Sequence, residues 1–145
     1  MLCHDQASTI VAAAQQFALS AGLPPVCISV VDAAAYPLYF MRMDDCFLGA
    51  IDVALRKART SALFRSDSAV VGRNFQPGAA ALSLENSNGG LIGFGGGVPL
   101  RDAEGRCIGA IGVSGASMEQ DQLIAEAGAH ALANCHRYAP RSLSR

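Results

Sequence analysis

Apolar positions open the chain at helical spacing. Ile10, Ala14, Phe17 and Ala21 share one face of a segment from Ser8 to Ala21, and Gly22 followed by Pro24 and Pro25 marks its end. Val26 to Val31 is a short run rich in β-branched residues, the pattern of a strand buried on both faces. Asp32-Ala33-Ala34-Ala35 predicts a turn into a second strand, Leu38 to Met43, whose alternation is loose. Asp44 then has the chemistry of a helix N-cap, with Asp45 in the first turn where the helix dipole favours it. Phe47, Ile51, Ala54, Ala58 and Ala62 predict the buried face of this second helix, with Arg56, Lys57 and Arg59 projecting elsewhere.

A mixed stretch from Arg65 to Gly90 closes on Asn86-Ser87-Asn88-Gly89-Gly90, a strong loop signal. Leu82 to Leu84 predicts a short apolar contact within it. Beyond it the pattern returns to strands: Leu91 to Phe94, then Val98 to Arg101 after a break at Gly95-Gly96-Gly97. Asp102-Ala103-Glu104-Gly105 fits a hairpin turn, and Arg106 to Val113 is the return strand. Gly109 and Gly112 inside that strand imply that a helix or another backbone approaches closely. Ser117 and Gln120 form a capping box, which opens a last helix with Ile124, Ala127, Gly128, Ala131, Leu132 and Cys135 on its apolar stripe. Pro140 and the Arg/Ser tail follow. The order of elements predicts one α+β domain over residues 1–145, with a largely antiparallel sheet flanked by helices.

Composition narrows the functional classes. At 145 residues the chain matches one domain. With 51% hydrophobic and 16% charged residues it is not a disordered chain. A net charge of -1 lacks the basic surplus that nucleic-acid or anionic-membrane binding needs. No apolar run approaches the roughly 20 residues of a membrane span, and Met1 to Ile10 lacks the cationic start of a secretory leader. The five cysteines are odd in number and contain no C-x-x-C pair, so they suggest neither a disulfide framework nor a zinc ribbon. Cys27 and Cys107 read as small buried hydrophobes. A cytoplasmic location is expected.

Candidate chemistry is sparse. Gly95-Gly96-Gly97-Val98-Pro99-Leu100 can aim backbone N–H groups at an anion, or let a flat ligand touch the backbone. It can equally be a bulge that re-aims a strand. Neither a P-loop nor a dinucleotide fingerprint surrounds it. Arg42 beside Asp44 and Asp45 is either part of a capped helix entry or a bidentate fork for a carboxylate. Arg56, Lys57, Arg59 and Arg65 read as a solvated face. Glu119 and Asp121 suit the dipole of the last helix, with Glu119 the one to aim into a pocket. His4, His130 and His136 lack metal-ligand spacing, and Ser114 lacks a nucleophile elbow, so no metal site or serine hydrolase is expected.

VVDAAAYPLYFMRMDD, IDVALRKARTSALF and, most specifically, the block from Gly89 to Leu132 resemble the family of the haem-binding protein HbpS, GlcG and the C-terminal domain of PduO. The resemblance runs from about Ile10 to Ala133. It implies a profilin-like fold, a homo-oligomer between dimer and octamer, and a small-molecule ligand, with haem or a corrinoid possible. Gly95 to Pro99, Arg42, Asp44, Lys57, Ser114, Gly115, Gln120 and Asp121 match the family motif. Ala34, Ala35 and Tyr36 stand where relatives often carry a glycine pair. No histidine matches a haem-ligating position, so iron ligation would use another residue.

Three functions follow as expectations. The leading one is an accessory binding protein whose ligand meets Phe40, Arg42, Lys57, Phe94, Gly95, Gly96, Gly97, Val98, Pro99 and Ser114. The second is a proton-transfer enzyme, an isomerase or lyase, with Arg42 or Lys57 orienting substrate and Glu119 or Asp44 moving the proton. The third is a structural oligomeric partner, with the glycine loop packing subunits.

Overall fold

Two antiparallel hairpins meet edge to edge. In the computed structural model, which describes residues 1–135, β1 (Cys27–Asp32) pairs with β2 (Pro37–Arg42), and β3 (Gly97–Arg101) pairs with β4 (Cys107–Ser114). Pairing of β1 with β4, Cys27 opposite Ser114 through Asp32 opposite Gly109, joins them in the order β2-β1-β4-β3. Both hairpin turns use the same device. Asp32 Oδ1 accepts the backbone N–H groups of Ala34 and Tyr36 at 2.9 and 3.0 Å, and Asp102 Oδ1 accepts those of Glu104 and Arg106 at 3.0 and 2.9 Å.

One face of the sheet carries α1 (His4–Ser20) and α4 (Met118–Cys135). The core there is built of large aliphatic side chains, among them Ile10, Ile28, Leu100, Ile111, Ile124 and Leu132. α1 ends as predicted: Leu23 N–H bonds Ala18 O at 3.0 Å and Gly22 N–H bonds Leu19 O at 3.2 Å, with Gly22 left-handed at φ 64°. α4 opens on the predicted capping box, Ser117 N–H to Gln120 Oε1 and Gln120 N–H to Ser117 Oγ, both 3.1 Å. His136, Pro140 and the rest of the tail lie outside the described residues.

The other face carries α2 (Gly49–Phe64), and its contacts are mostly small: Ala54, Ala58, Ala62, Ala110 and Cys27, with Val31 among them. Gly97, Gly112 and Ser29 form one row across three strands beneath it. A Cβ on Gly112 would collide with Ala54 O and lie 2.5 Å from the Ala58 nitrogen, so this glycine sets how closely α2 approaches.

Three expectations need correction. α2 begins at Gly49 with Leu48 at its N-cap, not at Asp44. Asp45 adopts φ 67° and Cys46 N–H bonds Met43 O at 3.3 Å, so a tight turn intervenes; Phe47 is consequently 76% exposed rather than part of the buried face. Leu91 to Phe94 is not a strand, because its polar backbone groups are taken by neighbours outside the sheet. Leu91 N–H bonds Glu85 O at 2.8 Å, Ile92 N–H bonds Thr60 Oγ1 at 3.1 Å, and Phe94 O accepts Ser68 Oγ at 2.6 Å. The mixed stretch from Arg65 to Gly90 contains α3 (Ser68–Gly72) and two 3₁₀ turns, Arg73–Phe75 and Leu84–Asn86.

The close approach of α2 predicts opposite outcomes at two glycines. Gly112→Ala should destabilise the protein by about 1–3 kcal/mol in urea unfolding, since Ala54 and Ala58 are backbone obstacles. Gly49→Ala, which meets nothing within 4 Å, should be neutral or stabilise by up to ~1 kcal/mol.

Candidate functional site

Lys57 is the buried centre of the motif-bearing region. It lies on the same stripe of α2 as Ala50, Ala54, Ala58 and Ser61, so its side chain runs along the sheet instead of into water. It is 0% exposed. Its Nζ donates to Val113 O and to Asp121 Oδ2, both at 2.9 Å, and stands 5.0 Å from the centroid of the Phe94 ring. Asp121 is 2% exposed, and its second oxygen accepts the Ala116 N–H at 2.9 Å. One ion pair thus ties α2, β4 and the start of α4. Burial pulls the Lys57 pKa below 10.5, while the charge and hydrogen bond of Asp121 act in the opposite direction.

The glycine loop closes over this pair. Gly96 adopts φ 126°, a conformation other residues avoid. A Cβ there would sit 2.8 Å from Lys57 Nζ, and one on Gly97 would sit 2.5 Å from Lys57 O and 2.6 Å from Ser61 Oγ. A Cβ on Gly95 would lie 2.9 Å from Met118 O. The N–H groups are engaged as well: Gly96 donates to Gln122 Oε1 at 3.0 Å and Gly97 to Ser68 Oγ at 2.9 Å. The expected cradle for a guest is therefore corrected. The space left by three missing side chains is filled by α2, Lys57 and the start of α4, and the amides of Gly96 and Gly97 have internal partners.

Gln122 extends the network, donating to Asp67 Oδ2 at 3.1 Å and Glu126 Oε1 at 3.0 Å. Asp67 has its pKa raised above 3.8, first by burial and further by Glu126, against the Gln122 hydrogen bond and the charge of Arg101.

The other expected site residues are dispersed. Val98 points into the α1/α4 core and Pro99 is half-buried. Ser114 is buried, its carbonyl 3.9 Å from Cys46 Sγ. Arg42, Asp44 and Glu119 are exposed, and none bonds Lys57. The proposed proton-transfer set of Arg42, Lys57, Asp44 and Glu119 is thus not assembled. Asp121, given a dipole role from its position, is instead the buried partner of Lys57. Its signal lay in the i, i+3, i+4 stripe that places Lys57 on the Ala-rich side of its helix, which demands a counter-charge.

An open surface remains beside α2. The helix packs on β1, β3 and β4, so the side of β2 facing it is left bare. Phe40 lies opposite Ser29 on that side and is 42% exposed, with Arg42 two residues along. A depression of about 340 Å³ continues this shelf, lined by Ala34, Ala35, Tyr36, Pro37, Leu55 and Arg59. A second one, about 420 Å³, lies among Arg65, Arg101 and Arg106. His4 is elsewhere, its ring 5.7 Å from that of Tyr39, and His130 is exposed on α4.

The sheet and its helices define an α+β domain whose buried Lys57–Asp121 pair unites motif residues from both halves of the chain. The family described as haem degrading protein HbpS-like matches residues 2–130, and the chain belongs to it. It is 42% identical over 103 residues to an uncharacterized 15.0 kDa protein in the dhaT-dhaS intergenic region of Citrobacter freundii, covering 70% of this chain and 72% of that protein. A solved complex of PduOC with haem superposes with a TM-score of 0.83 at 34% identity, over 90% of this chain and 94% of the other. A double mutant of Streptomyces reticuli HbpS gives 0.80 at 30%, over 89% and 85%. No helix among the described residues is long and apolar enough to cross a membrane.

Lys57→Met should cost roughly 3–5 kcal/mol in urea unfolding because it strands the Asp121 carboxylate; adding Asp121→Asn should recover much of that loss, a coupling that a double-mutant cycle reads directly. Asp67 predicts a pH dependence. Its folded pKa lies above 3.8, so its contribution to stability is present below 3.8 and lost as pH rises through the folded value. Asp67→Asn should therefore be more stable than the natural protein at pH 7, with the advantage shrinking as the solution is acidified.

Proposed function

We propose that the protein is an oligomeric, cytoplasmic accessory protein that binds a tetrapyrrole, haem in the first place and a corrinoid as the competing ligand. The observation that supports this most is the match over nearly the whole length to a relative solved with haem. The β2–α2 shelf suits such a ligand better than the filled glycine loop does. A macrocycle needs an apolar plane, which Phe40, Tyr36 and Leu55 offer; its carboxylates need cations, which Arg42 and Arg59 offer from opposite sides of the shelf. When bound, haem would supply a redox-active iron. Tyr36 is the shelf residue with a side-chain oxygen of a kind that ligates haem iron. This chain's own residues hold the apolar ring out of water and fix its orientation through its acidic edge.

Titration of the purified protein with hemin and with cobalamin, followed by absorbance, tests the reading. Saturable micromolar binding of hemin is expected, weakened about tenfold or more by Arg42→Ala with Arg59→Ala, about 1.4 kcal/mol. Tyr36→Phe should change the absorbance bands of the complex more than its affinity. Absence of saturable binding, or unaltered affinity without the two arginines, would remove the shelf as the site. Light scattering should give a mass of at least two chains.

A further inference from the structure

Two thiols meet on the α2 side of the sheet, where neither the Lys57 pair nor the ligand shelf makes use of them. Cys27 opens β1, and Cys46, 19 positions later, sits in the turn that leads from β2 to α2. Their sulfur atoms are 3.6 Å apart, with the Cys27 S–H directed at Cys46 Sγ. Cys27 is fully buried and Cys46 is 8% exposed. Ala50, Ala54 and Ile51 enclose them on the α2 side. Gly115 faces Cys46 from the end of β4: a Cβ there would lie 3.0 Å from the sulfur, so the missing side chain leaves Cys46 its place.

Small buried thiols often serve only as filler. Alanine or valine would fill this space as well, but would not put two sulfurs in contact. A disulfide spans about 2.05 Å, so the pair needs to close by only about 1.5 Å. Cys46 is free to make that adjustment because it belongs to a turn and not to a strand ladder. Its backbone hold is the 3.3 Å bond from its N–H to Met43 O. We propose that Cys27 and Cys46 are a peroxide-responsive pair that closes into an intramolecular disulfide.

The step balances with hydrogen peroxide as oxidant. The Cys46 thiolate attacks one peroxide oxygen, the O–O bond breaks, and hydroxide leaves; Cys46 now carries a sulfenic acid. The Cys27 sulfur then attacks Cys46 Sγ, the S–O bond breaks, and the Cys27 proton leaves with the departing oxygen. Two thiols and one peroxide give one disulfide and two waters. The division of roles follows from position: Cys46, in the turn, is the less deeply buried of the two, and Cys27, fully enclosed on β1, is its protected partner. Burial and the Cys46 contact push the Cys27 thiol up to about 12, with Arg42 acting the other way, so Cys27 holds its proton until attack. The new bond would fasten Met43 to Leu48 onto β1 and restrain the entry to α2. The proposal is independent of which ligand the shelf takes.

A variant with Cys3, Cys107 and Cys135 all replaced by serine keeps this pair alone, since those three are exposed or half-buried. Exposed to peroxide while folded and then denatured, it should lose both titratable thiols and two hydrogens of mass. Peptide mapping should join Cys27 to Cys46, the urea midpoint should rise, and dithiothreitol should reverse all of it. Differential alkylation of the natural chain provides the same map if the variant folds poorly. Added oxygen without a link, a link between two chains, or both thiols still free after treatment would overturn the proposal.

Discussion

The backbone of α2 rests directly on the sheet, and the rest of the molecule is arranged around that contact. Gly112 and Gly97 lie beneath it with Ser29, and any Cβ on the two glycines would enter Ala54, Ala58 or Lys57. Such proximity limits side-chain size at the interface, which explains why this face is lined mainly with Ala, Gly, Ser and Cys, with Val31 beside them, while the opposite face takes most of the buried Ile, Leu and Val. The one long side chain on the buried stripe, Lys57, has no room to stand upright. It lies along the sheet until it reaches the edge at Gly96, where the loop must itself lack a side chain. Gly96 and Gly97 are thus a consequence of the helix contact and its lysine, while Gly95 makes room for the start of α4.

The same geometry determines what is left open. A helix centred over β1 and β4 cannot also cover β2, so Phe40 and Arg42 face solvent beside the apolar flank of α2. The shelf owes its shape to how far α2 sits from the sheet edge. Its rigidity comes from the Asp32 turn, which holds Ala34 and Tyr36 on one side, and from the ion pair that pins α2 on the other.

Local chemistry made much of this fold legible in the sequence. The turns at Asp32 and Asp102 and the box at Ser117 are decided within four residues, and all three form as read. Features decided by distant partners were not legible. Asp44 has the chemistry of a cap, but the left-handed Asp45 bends the chain away and the helix waits for Gly49. Leu91 to Phe94 has the composition of a strand, yet Thr60 and Ser68 claim its polar groups first. A run of glycines states only that something comes close. Whether that is a guest or the protein's own helix depends on Lys57, some forty positions away, and charge alone misassigns Lys57 to the surface.

A buried ion pair is a costly way to stabilise a fold, since desolvation offsets much of the attraction. Its value here lies in register. An interface of alanines and glycines is smooth, and displacement of α2 by one turn along it would preserve most of the apolar contact. The same displacement would carry Lys57 roughly 5 Å from Asp121 and Val113. It would leave two opposite charges buried apart, an outcome far less favourable than the paired state. The pair therefore selects one placement of α2 among several that packing alone would tolerate. Because the shelf is the space between α2 and β2, that choice also fixes how far Leu55 and Arg59 stand from Tyr36 and Pro37.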